Sequence, residues 1–137
     1  MKEWSFPART DSIQELTALI DTELEAVSCP LKNRMQLDVI TDEVFSNICR
    51  YAYGSGAGDA SVCFRFDGEK NEVSLTFRDR GIPYDPLESP EPDVTLSAEE
   101  REIGGLGIFL VKQLADGVRY ERDGDTNVLT VTKKLQR

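Results

Sequence analysis

The chain has 137 residues, 39% hydrophobic and 30% charged, which is enough apolar material for one domain with a sizeable core. Its net charge of −9 argues against nucleic acid as a partner, because a phosphate backbone is held by clustered Lys and Arg, whereas a single nucleotide needs only a few local cations. Cys29, Cys49 and Cys63 follow no metal or disulfide spacing, and no histidine is present, so imidazole chemistry and a phosphohistidine are excluded from these residues.

Residues 3–9 alternate enough for a first strand, and Pro7 predicts a sheet edge. Asp11 or Ser12 is the expected cap of a helix whose apolar positions Ile13, Leu16, Leu19, Ile20, Leu24 and Val27 keep helical spacing, with Cys29-Pro30 as its stop. A second helix is predicted over residues 32–53, burying Leu37, Ile40, Val44, Ile48 and Ala52, and the glycine-rich run 54–59 ends it. Strands follow at 60–67 and 72–78, joined by a hairpin loop. From 82 to 103 no period holds, and Pro83, Pro86, Pro90 and Pro92 punctuate an acidic stretch, the pattern of a functional loop or lid. A short helix opens at Gly104-Gly105-Leu106-Gly107 and continues through Ile108, Val111 and Leu114; two last strands, 118–122 and 127–135, flank a turn. This order predicts an α+β fold in one domain over residues 1–137: a two-layer sandwich with a mixed, mostly antiparallel sheet of about five strands and three main helices on one face.

Three short polar signatures stand out. Glu43, Asn47 and Arg50 fall within an arc of roughly 60° on the second helix, at the rim of its apolar side. A carboxylate, an amide oxygen and a guanidinium there suit a general base, a Mg²⁺ ligand and a phosphate clamp; a solvated helix face making local contacts is the alternative. Asp79-Arg80-Gly81 ends a strand rich in apolar residues. Its carboxylate can accept a hydrogen bond from an exocyclic amine such as that of adenine, with Gly81 leaving room for the ring, and a plain strand-ending turn is the alternative. Gly104, Gly105 and Gly107 open a helix, where unpaired N–H groups attract phosphate, although a hinge for the lid uses glycines too. No Lys follows them in the P-loop pattern.

Together these residues resemble the GHKL, or Bergerat-fold, ATP-binding superfamily. The segment 37–53 looks like its N box, 78–86 like its first glycine box and 104–108 like its second. Within the superfamily the chain is most similar to the anti-sigma-factor serine kinases, including a strand-helix-helix opening and a Lys-rich last strand. The resemblance implies a Bergerat fold with an ATP lid, and ATP and Mg²⁺ as cofactors. It implies Glu43 as the general base, Asn47 as the Mg²⁺ ligand, and Arg50 and Arg101 at the phosphates. Asp79 would read adenine beside Gly81, and Gly104, Gly105 and Gly107 would cradle the phosphates. Asn127 departs from the pattern, standing where many members have Thr near the adenine.

Gyrase- and chaperone-type ATPases use a following domain, which this chain is not expected to have, and a histidine kinase needs a phosphoacceptor His. The expected activity is therefore a serine/threonine protein kinase. Its implied partners are an anti-sigma-factor antagonist of the STAS type and a sigma factor or other regulator, with homodimerisation carried over from the same branch. A nucleotide-dependent binding module without catalysis is the rival reading. With neither a signal peptide nor an apolar run of spanning length, the expected location is the cytoplasm, without membrane contact.

Overall fold

The computed structural model describes residues 1–54, 56–88 and 105–136. In chain order the elements are β1 (Lys2–Pro7), α1 (Ser12–Ala26), α2 (Leu31–Tyr51), β2 (Asp59–Asp67), β3 (Glu72–Asp79), a 3-10 turn (Pro86–Glu88), α3 (Gly105–Leu114), β4 (Gly117–Asp123) and β5 (Thr126–Lys134). The strands form one sheet in the order β1-β2-β3-β5-β4, with Pro7 on an edge strand. Every pairing is antiparallel, so the sheet is not mixed. The reason lies in the connections. Two helices between β1 and β2 carry the chain out and back, and although β4 runs parallel to β3, the returning strand β5 lies between them.

Alternation along the strands puts Val62 and Phe64, Val73, Leu75 and Phe77, and Leu129 and Val131 on one face. Against them pack Leu16, Ile20 and Leu24 of α1, Leu37, Ile40, Val44, Phe45 and Ile48 of α2, and Val111 of α3. The opposite face carries the half-exposed Ser61, Cys63, Ser74, Thr76, Thr130 and Thr132, so polar and apolar residues divide the sheet as one covered layer requires.

Helix ends deviate from the sequence expectation in informative ways. Asp11 occupies the N-cap of α1 but makes no side-chain cap, while the Ser12 hydroxyl donates to the Pro7 carbonyl at 2.8 Å. The helix stops before Pro30. Ser28 takes a left-handed conformation (φ 57°), and the Cys29 and Ser28 N–H groups return to the carbonyls of Leu24 and Glu25 at 2.9 and 3.0 Å. Pro30 then serves as the N-cap of α2.

Across the α1–α2 contact, Asp21 and Asp38 form a carboxyl pair, and the Oδ1 atom of each, with Arg34 Nε, is buried without a hydrogen-bond partner among the described residues. Burial, followed by the hydrogen bond to Asp21 and its charge, pushes the Asp38 carboxyl from 3.8 up to about 7, against the opposing pull of Arg34. A raised carboxyl pKa favours the protonated native state, so this stabilisation is present at acid pH and lost as pH rises through about 7. Asp38→Asn keeps a neutral donor for Asp21 at every pH. We expect it to stabilise the fold on the order of 1 kcal/mol at about pH 8 and far less at about pH 5, after allowance for solvent screening, as read by urea unfolding at both values.

Candidate functional site

Helix α2 sets the site. Its apolar side (Ile40, Val44, Ile48) is locked into the core, and that fixes the phase of the polar residues interleaved with it. Asn47 faces inward and is only 5% exposed, Glu43 is half-buried one turn before it, and Arg50 is exposed. A recess opens between α2, the paired ends of β3 and β5, and α3. Val44, Ile48, Phe77, Ile108 and Leu129 give it apolar walls, and Asn47, Asp79 and Asn127 supply polar groups. Tyr84 stacks on Tyr51 in the same lining, with ring centroids 5.1 Å apart and planes at 27°.

Asn47 is unusual among these groups. Neither its Nδ2 nor its Oδ1 has a hydrogen-bond partner among the described residues, although both are buried. A buried amide in that state costs stability unless a ligand completes it. No cluster of three His, Cys, Asp or Glu side chains suited to a metal occurs among the described residues. A hard cation such as Mg²⁺ fits here as a guest of one amide oxygen and of oxygens on its own ligand, not of a carboxylate cage.

The segment after β3 is pinned at each backbone group that faces protein. Gly81 N–H donates to Asp79 Oδ1 at 2.9 Å, Ile82 N–H to the Ala52 carbonyl at the end of α2 at 2.8 Å, and Arg80 N–H to the Tyr53 hydroxyl at 2.9 Å. The Gly81 carbonyl accepts from Arg122 Nη1 at 2.8 Å, and that of Ile82 from Asn127 Nδ2 at 2.8 Å. Burial, reinforced by the charges of Asp79 and Asp59 and opposed by the Arg80 N–H, raises the Tyr53 phenol above its ordinary value, so its proton remains available to the Asp59 carbonyl.

At two glycines beside the recess an added Cβ would meet a neighbour. A Cβ at Gly81 would strike the carbonyl group of Ala52, so the backbone of α2, rather than a ligand ring, occupies the space that this glycine leaves. A Cβ at Gly107 would strike the Glu43 carboxylate, which therefore lies against the first turn of α3. Of the predicted site residues, Asn47 and Asp79 line the recess, Gly81 backs Asp79, and Glu43 meets Gly107 beside it. Arg50 lies on the exposed side of α2 and does not line the recess, and Gly105 begins α3. Arg101, Gly104 and most of the predicted lid lie outside the described residues.

Sequence reasoning missed Tyr51, Tyr84 and Tyr120 as wall residues. The strand period would have found Tyr120, which alternates with Val118 on β4 and pairs with Leu129 of β5. Nothing local marks the stacking of Tyr51 on Tyr84.

Residues 6–133 match the family described as histidine kinase-like ATPase domain. The chain is 30% identical over 99 residues to the serine/threonine-protein kinase BtrW of Bordetella bronchiseptica, an alignment covering 72% of this chain and 69% of that protein. It is 25% identical over 137 residues to the serine-protein kinase RsbW of Halalkalibacterium halodurans (98% and 83% covered), and 25% over 126 residues to the anti-sigma F factor of Pasteuria penetrans (91% and 79%). A crystal structure of the RsbU and RsbW domains of a Mycobacterium tuberculosis protein superposes on the whole chain with a TM-score of 0.66 at 13% identity, a likeness of fold alone, and this chain spans 33% of that longer one. Among the described residues no helix is long and apolar enough to cross a membrane.

The steric demand at Gly81 is testable without any ligand. Gly81→Ala forces the turn away from α2 and breaks the Ile82–Ala52 hydrogen bond, so it should lower the unfolding free energy by about 2 kcal/mol in urea titrations of the nucleotide-free protein.

Proposed function

This chain belongs to the histidine kinase-like ATPase domain family, and we propose that within it the protein acts as an ATP-dependent serine/threonine kinase of the anti-sigma-factor type. The observation that carries the reading is the pairing of Glu43, set against the first turn of α3, with the amide of Asn47 one turn on, which no described residue partners, beside a recess that contains the Asp79 carboxylate. Residues 1–137 are read as one ATP-binding kinase domain. The acceptor is a Ser or Thr hydroxyl on a small antagonist protein of the STAS type, and the regulator controlled through it is a sigma factor, which places the protein in the cytoplasm.

Asp79 and the apolar walls hold the base, with Gly81 fixing the turn behind that carboxylate. Asn47 Oδ1 would hold Mg²⁺, which when bound would neutralise phosphate charge. Gly105 and Gly107 lie in the first turn of α3, where backbone N–H groups favour phosphate oxygens; Gly104, Arg50 and Arg101 are assigned to the phosphates from the family resemblance. Glu43 takes the proton from the acceptor hydroxyl as its oxygen attacks the γ-phosphorus. The bond to the β–γ bridging oxygen breaks, and ADP leaves with that electron pair. Most of the acceleration in such a transfer comes from positioning and charge stabilisation, so the fixed depth of Glu43 and Asn47 in the fold is itself part of the mechanism.

Glu43→Gln keeps the shape of the side chain and removes the base. It should reduce phosphorylation of a co-purified antagonist about 10²- to 10⁴-fold while leaving the Kd for Mg-ATP within about threefold, as followed by radiolabel transfer and calorimetry. Transfer at the wild-type rate would overturn the base assignment, and tight nucleotide binding by the wild type without transfer to any hydroxyl would favour a nucleotide-gated binding module. Gly107→Ala displaces the Glu43 carboxylate without altering it. We expect at least a tenfold lower rate constant for transfer, with nucleotide affinity changed much less.

A further inference from the structure

Lys133 stands on the core-facing side of β5, in alternation with Leu129 and Val131, and is only 7% exposed. A buried ammonium is costly unless an acceptor or a carboxylate meets it. No carboxylate pairs with it among the described residues. Its Nζ donates instead to the Leu114 carbonyl at 2.6 Å, at the last residue of α3. There the helix carbonyls lack intrahelical partners and the macrodipole is negative, so a cation is well placed. A Met side chain would fill similar space with no charge to desolvate, so packing alone does not account for a lysine at this position.

The same end of β5 also holds α2. The Gln136 N–H donates to Asn33 Oδ1 at 2.8 Å, and Asn33, in the first turn of α2, is fully buried. Two neighbouring bonds close the corner: the Asp116 N–H donates to the Thr132 carbonyl at 2.9 Å, and the Lys134 N–H to Asp116 Oδ2 at 2.6 Å. One strand end therefore grips the start of α2 and the finish of α3. The two helices run antiparallel from that grip and meet again where Gly107 faces the Glu43 carboxylate. Gly107 lies about 10 Å along α3 from Leu114, and Glu43 about 15 Å along α2 from Asn33. A close-packed interior transmits displacement over such lengths, so the grip at one end sets the spacing at the other.

We propose that Lys133 is a positioning residue for phosphoryl transfer: its bond to the end of α3 sets the height of that helix against α2, and so the place of the Glu43 carboxylate against Gly107. The inference rests on the reading of Glu43 as the base. Lys133 does not line the recess, and it acts only through the helix that it caps. Transfer is sensitive to such an effect, because a displacement of about 1 Å at the reacting groups can lower a rate by about 100-fold. Nucleotide affinity, spread over the apolar walls and Asp79, is far less sensitive.

The test is a double-mutant cycle on single-turnover transfer from radiolabelled Mg-ATP to the co-purified antagonist, with Kd for Mg-ATP by calorimetry and a thermal melt for each protein. Lys133→Met should lower the transfer rate constant about tenfold or more, with Kd within about threefold and the melting temperature little changed. In the Glu43→Gln background the same change should cost less than about twofold, because a missing base cannot be misplaced. Lys133→Arg keeps a cation and a donor at the end of α3, and should stay within about threefold of the wild type. Should Lys133→Met not fold, Lys133→Gln, with its shorter reach toward the Leu114 carbonyl, enters the same cycle with the same expectations. Transfer by the folded variant at the wild-type rate would overturn the proposal and leave the base assignment intact. So would an equal loss in both backgrounds, the signature of a general loosening of the core. Glu43→Gln transferring at the wild-type rate would overturn the reading beneath it.

Discussion

A carboxylate buried at the end of a strand needs hydrogen-bond donors, and around Asp79 that need organises the rest of the site. Each hydrogen bond to a charged group contributes about 1.5–3 kcal/mol, and an unmet one costs as much. The donors come from the next turn (Gly81) and from the neighbouring strand (Asn127), so satisfying Asp79 bends the chain immediately after β3. That bend delivers the Ile82 N–H to the carbonyl that α2 leaves unpaired at its C-terminus, and the absence of a side chain on Gly81 is what allows the approach. The end of the sheet and the end of the helix are thereby fastened at one point.

That fastening sits at the far end of α2 from its first turn, with the apolar residues Ile40, Val44 and Ile48 holding the stretch between. Glu43 and Asn47 each precede a core residue by one position, so they inherit its rigidity while facing the recess side. On the opposite wall, the Glu43 carboxylate lies where a Cβ on residue 107 would stand. The positive end of α3 then lies beside the carboxylate, a favourable arrangement for negative charge on either the protein or a ligand. Chemistry and packing share the same helix, and a change to either is felt by the other.

Much of this was legible in the sequence, and what was not has physical causes. The strands and helices announced themselves through period, with ends within about two residues, because α1 and α2 each bury one continuous apolar stripe. The three polar signatures were readable as local spacing on a helix, at a strand end and at a helix start. What spacing could not give was register. Asp79 and Asn127 are 48 residues apart, and only the β3–β5 pairing brings them into contact. Nor could it give the cause of a glycine: Gly81 reads as room for a ring and proves to be room for the Ala52 backbone. The sequence points to Cys29-Pro30 as the stop of α1, whereas a left-handed Ser28 ends it, a conformation that nothing in a serine side chain signals.

The two buried amides of the recess divide the work between order and binding. Asn127 is saturated by protein, and a fully satisfied buried network is rigid, which is what a fixed wall requires. Asn47 is satisfied by nothing described, and it faces the same space. Leaving it so costs the empty protein on the order of 1–3 kcal/mol, a cost a sequence under selection for stability alone would remove with an apolar side chain. The same free energy is recovered when a ligand oxygen or a cation meets the amide, and so it appears as affinity. The recess is therefore suited to being filled, through a polar group that no described residue partners.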